Sequence, residues 1–179
     1  SPSQVVGVLG TAFGCPYEGD VPIDRVLRLT DGMIEAGARL IYFADTTGMA
    51  NPATITRLIS AAQARWSEVS FGLHLHNTRG LGLANALAGL ELGVNDFESS
   101  IGGIGGCPYA PLAVGNICTE DFVHMLHGMG LQTGLDLDLL IEAARLTETT
   151  LGRTVPGMVL KAGKASELHD AEKRREKDA

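Results

Sequence analysis

The chain has 179 residues, 45% hydrophobic and 20% charged, with a formal net charge of -7. That is enough apolar material for one sizeable core, and the acidic balance excludes a nucleic-acid surface built on a basic stripe. No apolar run reaches the ~18 residues of a membrane span, and three cysteines without zinc-type spacing (Cys15, Cys107, Cys118) point to free thiols in a reducing cytosol.

The chain begins at Ser1 rather than at a methionine, which reads as a processed chain or a piece of a longer one. The first apolar run, VVGVLG from Val5, predicts a strand. In PIDRVLRLTDGMIEAGA the residues Val26, Leu29, Met33 and Ala36 share one helical face, with Pro22 near the start and Gly37 as a C-terminal cap. LIYFAD from Leu40 is the second strand. The helix PATITRLISAAQAR follows, opened by Pro52 and carrying Ile55, Leu58, Ile59 and Ala62 on its apolar face. VSFGLHLH from Val69 is the third strand, LGLANALAGLELG a helix closing at Gly93, and VNDFESSI from Val94 the fourth strand. A glycine-rich loop leads to two further helices, 119–129 and 136–151, with Thr119 as the N-cap of the first and the acids of EDF suited to its dipole. The terminal run ELHDAEKRREKDA mixes both signs and reads as a solvated helix or frayed tail.

Strand then helix, recurring every 25–35 residues, means parallel βα units with right-handed crossovers. Four such units make a small open sheet or half of a (β/α)8 barrel, whose full form takes about 250 residues. The half-barrel is favoured because polar residues collect at the C-terminal ends of successive strands, where barrels keep their chemistry. Asp45 ends the second strand, His74 and His76 the third, and Glu98, Ser99 and Ser100 the fourth.

In FGLHLHNTRG (71–80) the two histidines fall two apart, so a strand projects both from one face. They are either satisfied histidines near a strand end or a metal-binding pair. SSIGGIGGCPYAPLAVGN (99–116) fits neither a Walker loop nor a dinucleotide fingerprint. It places Cys107 in a loop rather than on a buried element, and it ends at Asn116, which either caps a helix or coordinates a hard cation. Two imidazoles and an amide oxygen suit octahedral Mg²⁺, Mn²⁺ or Co²⁺ better than structural zinc, and leave at least one anionic ligand to be supplied.

GCPYEG (14–19), ADTTGMANP (44–52), HLHNTRG (74–80) and GGIGGCPYAPLAVGN (102–116), in that order, resemble the 3-hydroxy-3-methylglutaryl-CoA lyase family of metallolyase TIM barrels. The resemblance covers about residues 5–160 and implies an α/β chain carrying the last four βα units of the barrel plus C-terminal helices. Residues 1–160 would then be the C-terminal half of the lyase domain, and 161–179 a charged tail. It further implies a divalent cation, Mg²⁺ or Mn²⁺, on His74, His76 and Asn116, with an aspartate ligand and an arginine from the absent N-terminal half. Cys107 and Asp45 match catalytic positions, His74 has a role beyond ligation, and Glu120 lies near the metal shell. Asn77 and Thr46 lie in motif segments near the substrate. Asn77, Arg79 and Tyr42 replace the aspartate, tyrosine and serine usual in the family, which puts the acyl group in question. The implied reaction is retro-Claisen cleavage of 3-hydroxy-3-methylglutaryl-CoA, or a close 3-hydroxyacyl-CoA, to acetyl-CoA and acetoacetate. Alternatives are a Claisen-type synthase of the isopropylmalate and homocitrate synthase group, and an inactive fragment. The implied partners are an acyl-CoA substrate and a second copy of the chain or the missing half-barrel, in the cytosol (or the mitochondrial matrix of a eukaryote).

Overall fold

The computed structural model describes residues 5–108, 110, 112 and 114–168. Strands β1 (Val6–Leu9), β2 (Leu40–Asp45), β3 (Ser70–Leu75) and β4 (Asp96–Glu98) form one parallel sheet in sequence order. Helices α1 (Ile23–Glu35), α2 (Pro52–Arg65) and α3 (Gly82–Glu91) connect them. With right-handed crossovers, an unreversed parallel order keeps every connecting helix on the same face of the sheet. A doubly wound sheet reverses its order and covers both faces. This sheet is therefore an arc of a (β/α)8 barrel: four of its eight units.

The pleat separates the two faces. Ile41, Phe43, Leu73 and Leu75 are each 0% exposed and pack under the helices against Val26, Leu27, Ile55, Leu58, Ile59 and Ala86. The opposite face, which lines the interior of a closed barrel, carries Val8, Tyr42, Gly72 and Asp96 in one register row and Ala44, His74 and Glu98 in the next. Tyr42 fills the first of these rows by lying over Gly72, where an added Cβ would stand 2.5 Å from the ring. Val6 and Val8 at the β1 edge remain 43% and 51% exposed.

The α2 face is the predicted one, and Asn51 caps the helix reciprocally with Thr54 ahead of Pro52. In α1 the buried residues are Val26, Leu27 and Thr30, while Leu29 and Ala36 are exposed. The misread face has a simple cause. Thr30 donates its hydroxyl to the Val26 carbonyl at 3.0 Å, so a polar residue is buried at no hydrogen-bonding cost and the stripe rotates toward it.

Beyond β4, a 3₁₀ turn (Ile101–Gly103) and the glycine-rich segment lead to α4 (Thr119–Gly128), α5 (Leu137–Leu151) and α6 (Met158–Ala162). Thr119 is the first residue of α4 rather than its cap, because its hydroxyl pairs with Ser99 at 2.9 Å. Asp136 caps α5 by accepting from the Asp138 and Leu139 amides. A second apolar cluster, Val123, Ile141, Ala144, Val155 and Val159, joins the three helices. Asp121 pins α4 to α6 by accepting from the amides of Met158 and Val159. Helix α6 runs across position 160, and Lys164 pairs with Asp138. The rest of the charged tail, from 169 on, lies outside the described residues.

Candidate functional site

His74, near the C-terminal end of β3, lies on the barrel-interior face in line with Ala44 and Glu98, and His76 follows one residue past the strand with its ring against that of His74. Each ring is fixed through Nδ1. His74 Nδ1 lies 2.8 Å from Glu98 Oε2, and His76 Nδ1 lies 3.0 Å from the Val114 carbonyl oxygen. A carboxylate and a carbonyl only accept, so each neutral imidazole carries its proton on Nδ1 and presents a bare Nε2. The two Nε2 atoms stand 3.2 Å apart. Two lone pairs at that distance repel unless a proton or a cation lies between them. His76 is 4% exposed. Burial depresses its pKa below the ordinary histidine value and His74 adds to the effect, against the bond to Val114.

The third donor comes from an extended segment running past the end of β3. The Ile117 amide donates to Leu75 O at 2.9 Å and the Asn77 amide to Gly115 O at 3.1 Å, while His76 and Asn116 form an antiparallel bridge. Asn116 Nδ2 donates to the Ile104 carbonyl at 3.0 Å, which leaves Oδ1 buried with no hydrogen-bond partner among the described residues. A buried oxygen of this kind needs a donor or a cation. Two nitrogen lone pairs and an orphaned amide oxygen fit a divalent ion, with positions left for anionic oxygen. No group of three or more His, Cys, Asp or Glu side chains capable of holding a metal occurs among the described residues.

Cys107 is partly exposed and belongs to the segment whose ends bond to His76 and Asn116. Ile104 O and Gly105 O accept from Asn116, and Val114 O accepts from His76. The loop carrying the thiol and the candidate cation site are thus one construction.

The other predicted residues make contacts of their own. Asp45 ends β2 opposite Leu75, on the helix-facing side, whereas Ala44 is the residue beside His74. At 1% exposure, its Oδ1 accepts from the Met49 and Ala50 amides at 2.8 and 3.1 Å, which shapes the turn before α2. Burial raises its pKa, opposed by those bonds and by Arg79, which itself donates to Thr47 O and Gly48 O. The residue thus shares a barrel end with the histidines, as its strand-end position predicts, but not their face. Thr46 accepts from the Thr11 amide at 3.2 Å, joining the ends of β1 and β2. Asn77 Oδ1 accepts from Gly82 N at the start of α3. Glu120 is 0% exposed and lies under the 3₁₀ turn, with Oε2 on the Gly102 amide at 3.0 Å, so its hydrogen bond goes to the turn. The pairing of Glu98 with His74 and the carbonyl of Val114 were not foreseen. The first is implied by alternation along β4 once the β3–β4 register is known; the second is backbone and has no sequence signature.

The (R)-citramalyl-CoA lyase of Chloroflexus aurantiacus is 48% identical over 155 residues, covering 87% of this chain and 49% of that protein. The Bacillus subtilis hydroxymethylglutaryl-CoA lyase YngG is 44% identical over 158 residues, covering 88% of this chain and 53% of its own length. The chain thus spans about half the length of the curated relatives it matches. Among solved structures, an HMG-CoA lyase from Acinetobacter baumannii in complex with coenzyme A and 3-methylmalate superposes with a TM-score of 0.88 at 44% identity, over 92% of this chain and 54% of that one. The carboxyl transferase domain of Rhizobium etli pyruvate carboxylase shares the fold alone, with a TM-score of 0.64 at 20% identity over 84% of this chain and 24% of that one. A sequence model described as HMGL-like matches residues 4–147, a span that holds all four βα units, the histidine pair and Asn116; the chain belongs to the HMGL-like family.

Proposed function

We propose that this chain is the C-terminal half of a divalent-metal-dependent carbon–carbon lyase that cleaves a 3-hydroxyacyl-CoA to acetyl-CoA and a keto acid. The observation that carries the reading is the pair of bare Nε2 atoms 3.2 Å apart, with Asn116, whose Oδ1 is orphaned, bridged to His76. His74, His76 and Asn116 would hold Mg²⁺ or Mn²⁺, with an aspartate from the complementary half-barrel completing the set. When bound, such an ion supplies Lewis-acid polarisation of the substrate's 3-hydroxyl and neighbouring oxygen.

The residues of the chain then divide the remaining work. His74 and His76, held at Nδ1, keep fixed ring orientations against the hydroxyl-bearing carbon. A histidine whose Nε2 is ligated can pass a proton only through Nδ1, and for His74 that path ends on Glu98. Cys107, on the segment that holds His76 and Asn116 through Val114, Ile104 and Gly105, would supply its thiol proton to the departing acetyl-CoA carbon. Two substrates have the required skeleton. 3-Hydroxy-3-methylglutaryl-CoA yields acetoacetate, and citramalyl-CoA, one methylene shorter in its acid arm, yields pyruvate. Both lose the same acetyl-CoA. The partners are an acyl-CoA, the complementary half of the barrel and a second copy of the assembled protein, in a reducing compartment. No described helix is long and apolar enough to cross a membrane.

The test supplies each acyl-CoA with Mg²⁺ or Mn²⁺ to the barrel in complete form and couples the product to a pyruvate- or acetoacetate-specific dehydrogenase. Metal-dependent release of acetyl-CoA from either supports the lyase. Release of free CoA thiol from acetyl-CoA and a 2-keto acid, without cleavage of either acyl-CoA, would assign the condensing reaction instead.

A further inference from the structure

The two histidines are held in different ways. His76 Nδ1 is bound by a backbone carbonyl, which no side-chain change removes; His74 Nδ1 is bound by a single side chain, Glu98, at 2.8 Å. Glu98 is the last residue of β4 and stands directly across from His74 in the β3–β4 register, so the contact is built into the sheet and not reached by a wandering surface chain. It persists although the Glu98 side chain is 46% exposed. A neutral imidazole has one proton to place, and only the Nδ1–H form leaves Nε2 bare.

We propose that Glu98 is a positioning residue for the cation site. By accepting the proton-bearing Nδ1 of His74, it fixes that ring's tautomer and orientation and aims Nε2 at the space shared with His76 Nε2 and Asn116 Oδ1. This rests on the metal reading above. A carboxylate behind a ligating histidine also raises the ligand's basicity, and loss of such a partner typically costs about 10–100-fold in metal affinity.

The experiment measures Mn²⁺ binding by electron paramagnetic resonance titration, and the His74 tautomer by ¹⁵N NMR of the metal-free protein, on the chain assembled with the other half of its barrel. Glu98→Met keeps the volume and removes the acceptor; Glu98→Ala removes both; Glu98→Gln keeps an accepting oxygen without the charge. Circular dichroism identifies the variants that fold. Folded Met and Ala variants are expected to lose about 10–100-fold in Mn²⁺ affinity and to show His74 in mixed tautomers. The Gln variant is expected to retain the Nδ1–H form with a smaller loss. Unchanged affinity with an unchanged tautomer in a folded Met or Ala variant overturns the role of Glu98 while leaving the metal site standing. Absence of Mn²⁺ binding in the unsubstituted protein overturns the metal reading itself, and this proposal with it.

Discussion

An alanine at position 115 would place its Cβ 1.7 Å from the carbonyl oxygen of Gly103 and 2.7 and 2.9 Å from the carbonyl carbons of Gly103 and Ile104. Non-bonded carbon atoms rest about 3.5–4.0 Å apart, so the crossing of the two segments must open by more than about 1 Å. All three blocking atoms are backbone, and no rotamer change relieves them. Opening the crossing pulls Asn116 N and Nδ2 from the Ile104 carbonyl, where they now lie at 3.3 and 3.0 Å. The two lost bonds are worth about 0.5–1.5 kcal/mol each and overpacking adds about 1–3 kcal/mol, for a destabilisation of roughly 2–6 kcal/mol. The displaced residue is also the proposed amide ligand, and such sites tolerate only about 0.5 Å. Calorimetry of Gly115→Ala should therefore show a Tm lowered by roughly 4–24 °C, and Mn²⁺ titration an affinity weakened by about tenfold or more. Gly32→Ala is the contrast. A Cβ there meets nothing within 4 Å, and Gly32 lies inside α1, so alanine should stabilise by about 0.5–1 kcal/mol. A Gly115→Ala protein with unaltered Tm and unaltered metal affinity would refute the claim that this backbone crossing sets the position of Asn116.

Three further outcomes follow from single residues. Cys107→Ala should lower turnover by about 10²–10⁴-fold if the thiol delivers the proton while leaving Mn²⁺ affinity intact; equal turnover removes the thiol from the chemistry. Asp121→Ala strips the acceptors from the Met158 and Val159 amides, which should cost about 2–4 kcal/mol and speed amide exchange in α6, as hydrogen-exchange mass spectrometry would record. Glu120 has its pKa raised by burial from the ordinary value of 4.5, against the bond from Gly102. The native state therefore holds the proton more tightly than the unfolded chain, and stability falls as pH climbs from that ordinary value through the raised one. In Glu120→Gln the fall should be absent, so the variant gains on its parent across that window in denaturant titrations, and parallel curves would contradict the assignment.

The repeated βα unit was legible because its signals are local: apolar runs, proline-opened helices, glycine caps and a regular interval. The histidine pair was legible for the same reason, since alternation along one strand is intrinsic to that strand. Asp45 shows where such reading stops. Its place at the end of β2 could be read, but its face depends on the register Ala44↔His74 and Asp45↔Leu75, a relation between strands. The α1 face failed on Thr30, which is buried through a hydrogen bond to its own helix that no hydropathy pattern signals. Thr119 was read as a cap because the sequence does not show that Ser99 takes its hydroxyl. Val114, which locks His76, acts through its carbonyl, and any residue at that position offers one.

The central claim is a cation shared by His74, His76 and Asn116. Pulsed electron paramagnetic resonance of bound Mn²⁺ tests it most directly, because nuclei of ligating imidazole nitrogens modulate the electron spin echo. The expected result is two imidazole couplings at one Mn²⁺ per chain, reduced to one by either His74→Ala or His76→Ala. Bound Mn²⁺ showing no imidazole coupling, or a spectrum indifferent to both substitutions, would contradict it.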